Sequence, residues 1–254
     1  GSANNSADRL ASAIWPSDAV FSSAANAWLA SHGVPGITIV DPTGIEAGNT
    51  ASPEALLALA SRAMAHPVIA EIVARPSVSL PGAGQVENTN PLLADPGVVG
   101  IKTGSLDAFN LLAAKDVVIG DTTARIYASM LGQPDPETRN AALRAVFAQT
   151  EAELQLHPSV PVGTVAGRVV TLWGEPVDVM TTADASVVLW NGGSATTSTD
   201  FALDGQDTAG DAVGIMTVEG PLNRTSVDVA LAGDVEPPSP WWRLTHPLDL
   251  FGLS

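Results

Sequence analysis

The sequence predicts an α+β chain: helices around an antiparallel sheet, followed by an all-β part that forms a sandwich or small barrel. Three observations predict it. Capped helical periods fill most of the first 75 residues, a two-residue period takes over from Ser77, and no helical period survives beyond a few residues across 158–236. The boundary this implies separates residues 1–156 from residues 157–254.

The elements follow in order. Ser6-Ala7-Asp8 starts a helix through Leu10 and Ile14 that Pro16 ends. Ser17 caps a second helix, with Val20, Phe21, Ala24 and Trp28 on one face and Gly33 as its stop. Ile37 to Val40 is a short strand, and Asp41-Pro42-Thr43-Gly44 is a turn. Ser52-Pro53-Glu54 combines an N-cap, a first-turn proline and an acid that suits the helix dipole. That helix runs through Leu56, Leu57, Leu59 and Met64 until His66-Pro67 interrupts it, and a shorter piece spans Val68 to Ala74. Val78 and Leu80, the Gly82-Ala83-Gly84 turn and Val86 predict a hairpin. Strands are predicted at 98–104, 109–119 and 123–131, then one amphipathic helix from Glu137 to Leu156, with Leu143, Val146, Phe147 and Leu154 apolar. In the second part, Val169–Trp173, Ser186–Trp190 and Ser226–Ala230 read as strands between glycine-rich turns. The tail from Trp241 to Leu248 returns to large apolar residues.

Composition narrows the function. A hydrophobic share of 45% and a mean hydropathy of +0.21 exclude a disordered chain. The net charge of −16 excludes nucleic acid as a partner, since nothing could displace phosphate counterions, and disfavours docking on anionic lipid. No apolar run approaches the roughly 20 residues that cross a bilayer, and residues 1–25 show no signal-peptide pattern. Without cysteine there is neither disulfide nor thiolate metal site. His66, His157 and His246 each precede proline, His32 lies near a helix end, and no pair has metal spacing. Asp204, Asp207 and Asp211 read as a solvated loop rather than a calcium site. No metal and no cofactor is expected. Trp241 and Trp242 suggest either membrane contact or packing on the β-rich part; the tail lacks a basic face, which favours packing.

The chemistry concentrates at Lys102-Thr103-Gly104. The chain has only two lysines, Lys102 and Lys115, and the run Val98, Val99, Ile101 delivers the first to a strand end. An ammonium, a hydroxyl donor and a glycine that admits a close backbone suit recognition of a carboxylate.

With that tripeptide, residues 2 to about 131 resemble the later part of the serine D-alanyl-D-alanine carboxypeptidases, the low-molecular-mass penicillin-binding proteins. Ser2-Ala3-Asn4 resembles their Ser-x-Asn motif. Asp41-Pro42-Thr43-Gly44-Ile45 and Asn49 to Glu54 resemble the loop and helix start that follow it. Asn88-Thr89-Asn90-Pro91-Leu92-Leu93 leading into Gly100-Ile101-Lys102-Thr103-Gly104 is the most specific block. The resemblance implies a partial penicillin-binding/β-lactamase-like domain with an appended β-rich part. It implies removal of the terminal D-Ala from peptidoglycan stem peptides through an acyl-enzyme, inhibition by β-lactam antibiotics, and an extracytoplasmic location. It casts Ser2 as proton relay, Asn4 as holder of the substrate amide, and Lys102 as the catalytic cation. Thr103 would bind the substrate carboxylate, Gly104 would admit its backbone, and the Ser105 N–H would supply half an oxyanion hole. Asn88 and Asn90 are turn formers in this reading.

Two departures stand against it. The family's nucleophile motif, Ser-x-x-Lys, is missing: the residues three before the two lysines are Val99 and Leu112. An N-terminal piece carrying it is therefore expected to precede Gly1-Ser2, which reads as a cloning remnant or a cut through a longer protein, and this chain alone is expected to be inactive. Ser105-Leu106 also replaces the usual aromatic or His followed by Thr. The alternatives are a β-lactamase-like or D,D-endopeptidase relative, or a catalytically inactive cell-wall-binding protein.

Overall fold

The computed structural model describes residues 2–203 and 207–247, so Gly1, Asp204 of the acidic loop and Leu248 of the tail lie outside it. The chain divides into two compact units, Gly1–Val118 with Thr123–Ala152, and Ile119–Thr122 with Glu153–Ser254.

The first unit opens with helices α1 (Asn4–Ser12) and α2 (Asp18–Ser31). Helix α1 starts two residues before the predicted point, and no side chain caps it. Ser17 caps α2 by accepting the Val20 N–H at 3.4 Å. The strand expected over 37–40 shrinks to β1 (Ile37–Thr38), paired with β2 (Thr50–Ala51). The reason is Asn26, whose side-chain amide accepts from Ile39 N at 3.0 Å and donates to Ile39 O at 2.7 Å, ending the ladder there. Helix α3 (Pro53–Met64), capped by Ser52, and α4 (Pro67–Ala74) are bent by 105° at the His66-Pro67 break. A hairpin, β3 (Ser77–Leu80) and β4 (Gly84–Glu87), leads to a 3-10 turn over Pro91–Ala94.

The sheet that follows has the order β5-β6-β7, from β5 (Val98–Ser105), β6 (Phe109–Ile119) and β7 (Thr122–Gln133). Strand β5 is an edge. Its pairing with β6 shifts between Val98 and Ile101, where Gly100 has a φ of 115°. A Cβ there would sit 2.8 Å from the Val73 carbonyl oxygen of α4, so only glycine permits both the shift and the contact. Beyond the shift the register is regular: Lys102 faces Leu112, Thr103 faces Leu111 and Gly104 faces Asn110. Helix α5 (Pro136–Glu153) packs on this sheet, and Leu92, Leu111 and Leu143 are fully buried between them with Val98, Ala113 and Phe147.

The second unit is a sandwich. One sheet has the order β12-β13-β14-β10-β9; the other pairs β11 with β8. Its strands are β8 (Gln155–Val160), β9 (Val165–Val170), β10 (Pro176–Thr181), β11 (Ala185–Leu189), β12 (Thr196–Phe201), β13 (Ala212–Glu219) and β14 (Arg224–Leu231). Val187 of β11 and Val160 of β8 share a core with Val179, Val218 and Val229 of the larger sheet, whose two open edges exclude a closed barrel.

Several boundaries correct the sequence reading. Helix α5 ends at Glu153 rather than Leu156, because Gln155 to Val160 pair with β11. His157-Pro158 therefore lies inside a strand. The strand placed at 169–173 ends at Val170, where Thr171 and Glu175 close a turn through the Thr171 N–H to Glu175 O bond at 2.9 Å. The tail forms α6 (Pro240–Thr245), in which Trp242 meets Trp173 edge to face at 6.0 Å and stacks on His246. Trp241 does not pack on the β-rich part; it is 74% exposed.

Candidate active site

A cavity of about 740 Å³ opens in the first unit along the free edge of β5. The six residues to which the resemblance gives catalytic or substrate-binding roles are on its wall: Ser2, just before α1, Asn4 at its start, and Lys102, Thr103, Gly104 and Ser105 from the end of β5. The loop over 43–45 and the turn over 88–91 also contribute to the lining.

The amine of Lys102 is the hub. Its Nζ donates to Ser2 Oγ at 2.8 Å and to the Thr103 carbonyl oxygen. Residues 100 apart in sequence thus meet at one ammonium. Burial of the amine end pushes its pKa below the ordinary lysine value, although the residue as a whole keeps solvent access. No acidic side chain pairs with it among the described residues.

The loop facing β5 is built by one carboxylate. Asp41, buried, accepts from Thr43 N at 2.9 Å and Gly44 N at 3.2 Å, and also from the Thr43 hydroxyl and the Asn49 amide. Burial opposes its charge, but these donors outweigh burial and hold the carboxyl below the ordinary aspartate range. The predicted Asp-Pro-Thr-Gly turn is this Asx-type arrangement, and it sets Thr43 to Ile45 on the pocket lip.

The sequence reading missed Arg139. It is only 5% exposed and lies on the same cavity wall, in the first turns of α5. Its guanidinium donates to Asn140 Oδ1 at 3.1 and 2.9 Å and to the Asn110 carbonyl oxygen at 3.4 Å. No carboxylate neutralises it among the described residues, and burial lowers its pKa. A signal was present: an arginine just inside a helix start opposes the helix dipole, and Asp135-Pro136-Glu137 marks that start. The Thr138 N–H and hydroxyl both donate to Asp135, at 2.6 and 2.7 Å, confirming the cap.

Chemically, the cavity offers a lysine ammonium hydrogen-bonded to a serine hydroxyl, a threonine hydroxyl on a free strand edge, and a second cation. An anionic group fits between such donors, and an extended backbone fits the open edge.

No family model matches the chain, and no curated protein does. Solved structures do. A peptidoglycan synthesis regulatory factor, PBP3, from Streptococcus pneumoniae is 22% identical with a TM-score of 0.58, over 92% of this chain and 74% of that one. The D-alanyl-D-alanine carboxypeptidase DacD from Francisella tularensis is 15% identical with a TM-score of 0.57, over 93% and 73%. Penicillin-binding protein D2 from Listeria monocytogenes in its ampicillin-bound form is 23% identical with a TM-score of 0.52, over 58% and 61%. The chain thus spans about three quarters of the first two and about three fifths of the third. The fold is that of the D-alanyl-D-alanine carboxypeptidases and low-molecular-mass penicillin-binding proteins, an α+β unit with a C-terminal β unit.

Proposed function

We propose that the chain carries the carboxylate-recognition side of a serine D-alanyl-D-alanine carboxypeptidase acting on peptidoglycan stem peptides, and hence outside the cytoplasm. The observation that carries this reading is the Lys102 Nζ to Ser2 Oγ bond at 2.8 Å on the same cavity as Thr103 and Arg139. In this role Lys102 and Arg139 attract the C-terminal carboxylate of the peptide, the Thr103 hydroxyl donates to it, and the free edge of β5 holds the peptide backbone. In an intact enzyme whose serine nucleophile attacks the peptide carbonyl and takes the acyl group, Ser2, in contact with Lys102, would pass a proton to the leaving amine, and Asn4 would hold the substrate amide. In that intact enzyme the Ser105 N–H would be a donor for the developing oxyanion, with an effect of about 3 kcal/mol in comparable sites. The ring carboxylate of a β-lactam fits the same donors, in keeping with the ampicillin held by the Listeria protein.

Neither lysine follows a serine three residues earlier, so the residues of this chain bind without acylating. The test is calorimetry with diacetyl-L-lysyl-D-alanyl-D-alanine and its C-terminal amide. The acid is expected to bind tighter, and Lys102→Met to reduce that preference about tenfold or more, the effect of one charge-assisted hydrogen bond. Equal affinity for acid and amide would remove the proposal. Incubation with penicillin is expected to add no mass to the chain; a stoichiometric adduct would show a nucleophile that this reading lacks.

A further inference from the structure

The cavity holds a hydroxyl that the roles above leave unassigned. Thr89 is on its wall, and Thr89 Oγ1 lies 2.6 Å from Thr103 Oγ1. Its neighbours explain how it is held there. Asn88 Nδ2 donates to the carbonyl oxygens of Val73 and Arg75 at 3.2 and 3.0 Å, while Asn88 Oδ1 accepts from Asn90 N at 3.0 Å. Asn90 Oδ1 in turn accepts from Leu92 N at 3.0 Å, and Leu92 is fully buried. Both asparagines thus fasten the turn to its surroundings. Thr89, between them, is set against the strand.

At 2.6 Å one hydroxyl proton lies between the two oxygens. Two hydroxyls carry two protons, so one is used within the pair and one is left to donate outward. When Thr89 is the internal donor, it fills a lone pair of Thr103 and the Thr103 proton turns away from it, towards the cavity. An anion beside Lys102 selects this arrangement, because it needs a donor. A chain of hydrogen bonds from Thr89 through Thr103 to the anion also polarises each member, which strengthens the last bond.

We infer that Thr89 is a positioning residue for carboxylate recognition: its hydroxyl donates to Thr103 and aims the Thr103 proton at the ligand. This rests on the function proposed above and adds a specificity element that the Lys-Thr-Gly tripeptide alone does not contain.

The test compares Thr89→Val, nearly the same shape without the hydroxyl, with Thr89→Ser, which keeps it. Calorimetry measures the ratio of affinities for diacetyl-L-lysyl-D-alanyl-D-alanine and its C-terminal amide, and thermal unfolding is followed alongside. Thr89→Val is expected to lower the acid-over-amide ratio about fivefold, the effect of one neutral hydrogen bond, without moving the unfolding midpoint. Thr89→Ser is expected to restore the ratio. A wild-type ratio kept by Thr89→Val, or lost equally in Thr89→Ser, overturns the inference and leaves the proposed function standing. A wild type that prefers neither ligand overturns both.

Discussion

Two cavities of the first unit are each lined by one lysine and one arginine, and they use those cations in opposite ways. In the smaller, of about 300 Å³, Lys115 pairs with Glu151, and Arg144 pairs with Asp95 through two bonds at 2.6 and 3.1 Å. In the larger, Lys102 and Arg139 meet only neutral oxygens among the described residues. The chain carries 27 acids against 11 bases, so carboxylates are the commoner partner everywhere. In the proposed function, two partly desolvated cations without one, on a single wall, are where an incoming anion would complete the charge balance.

The largest effect is expected where both cavities share a support. Arg139 and Arg144 are on α5, and the fully buried Leu143 fixes that helix on the sheet. Leu143→Ala should cost about 2–5 kcal/mol in denaturant unfolding. A cost under about 1 kcal/mol would mean that α5 is not what holds the two cavities in shape.

The next variant turns the open cavity into a copy of the closed one. Asn140 accepts two bonds from the Arg139 guanidinium, and Asn140→Asp puts a charge in the same place. Affinity for the acid tripeptide should fall about tenfold, with the amide unaffected. An unchanged acid affinity would take Arg139 out of recognition and leave Lys102 alone.

The smallest effect concerns pH. Because the folded chain holds Lys102 below its ordinary pKa, its ammonium form opposes folding. The unfolded chain binds the extra proton between the lowered folded pKa and the ordinary lysine value, so stability should rise with pH across that window. Acid affinity should fall as pH rises through the folded pKa, since the neutral amine no longer attracts a carboxylate. Calorimetry between pH 7 and 10 checks the second half; affinity that climbs with pH would reverse the sign.

How much of this was legible in the sequence depended on whether pattern or tertiary contact decided the outcome. Strands β5, β6 and β7 carry runs such as Leu111 to Ala114 with turn signals between them, and their predicted bounds lie within two residues of the observed ones. Strand β12, Thr-Thr-Ser-Thr-Asp-Phe, is a polar edge without alternation, and its pairing with β13 is what defines it. Strand β8 was hidden because it follows α5 directly and contains a proline. In the site, Lys102-Thr103-Gly104 was readable from lysine scarcity and strand context, whereas Ser2 and Asn4 were readable only through resemblance. Arg139 escaped although its place just inside a helix start was readable, because one arginine among nine carries no periodic signal and its burial beside Asn110 and Asn140 is a tertiary fact. Thr89 escaped for a similar reason, since its partner lies across a turn that two asparagines tie down.

With only two lysines, the contrast between the cavities can be observed in one spectrum. Side-chain NMR of Lys102 and Lys115 during titration with diacetyl-L-lysyl-D-alanyl-D-alanine should shift the Lys102 resonance saturably, leave Lys115 in place, and show little change with the C-terminal amide. Both lysines unmoved by the acid, or Lys102 moved equally by acid and amide, would contradict the claim that the open pair of cations exists to take a carboxylate.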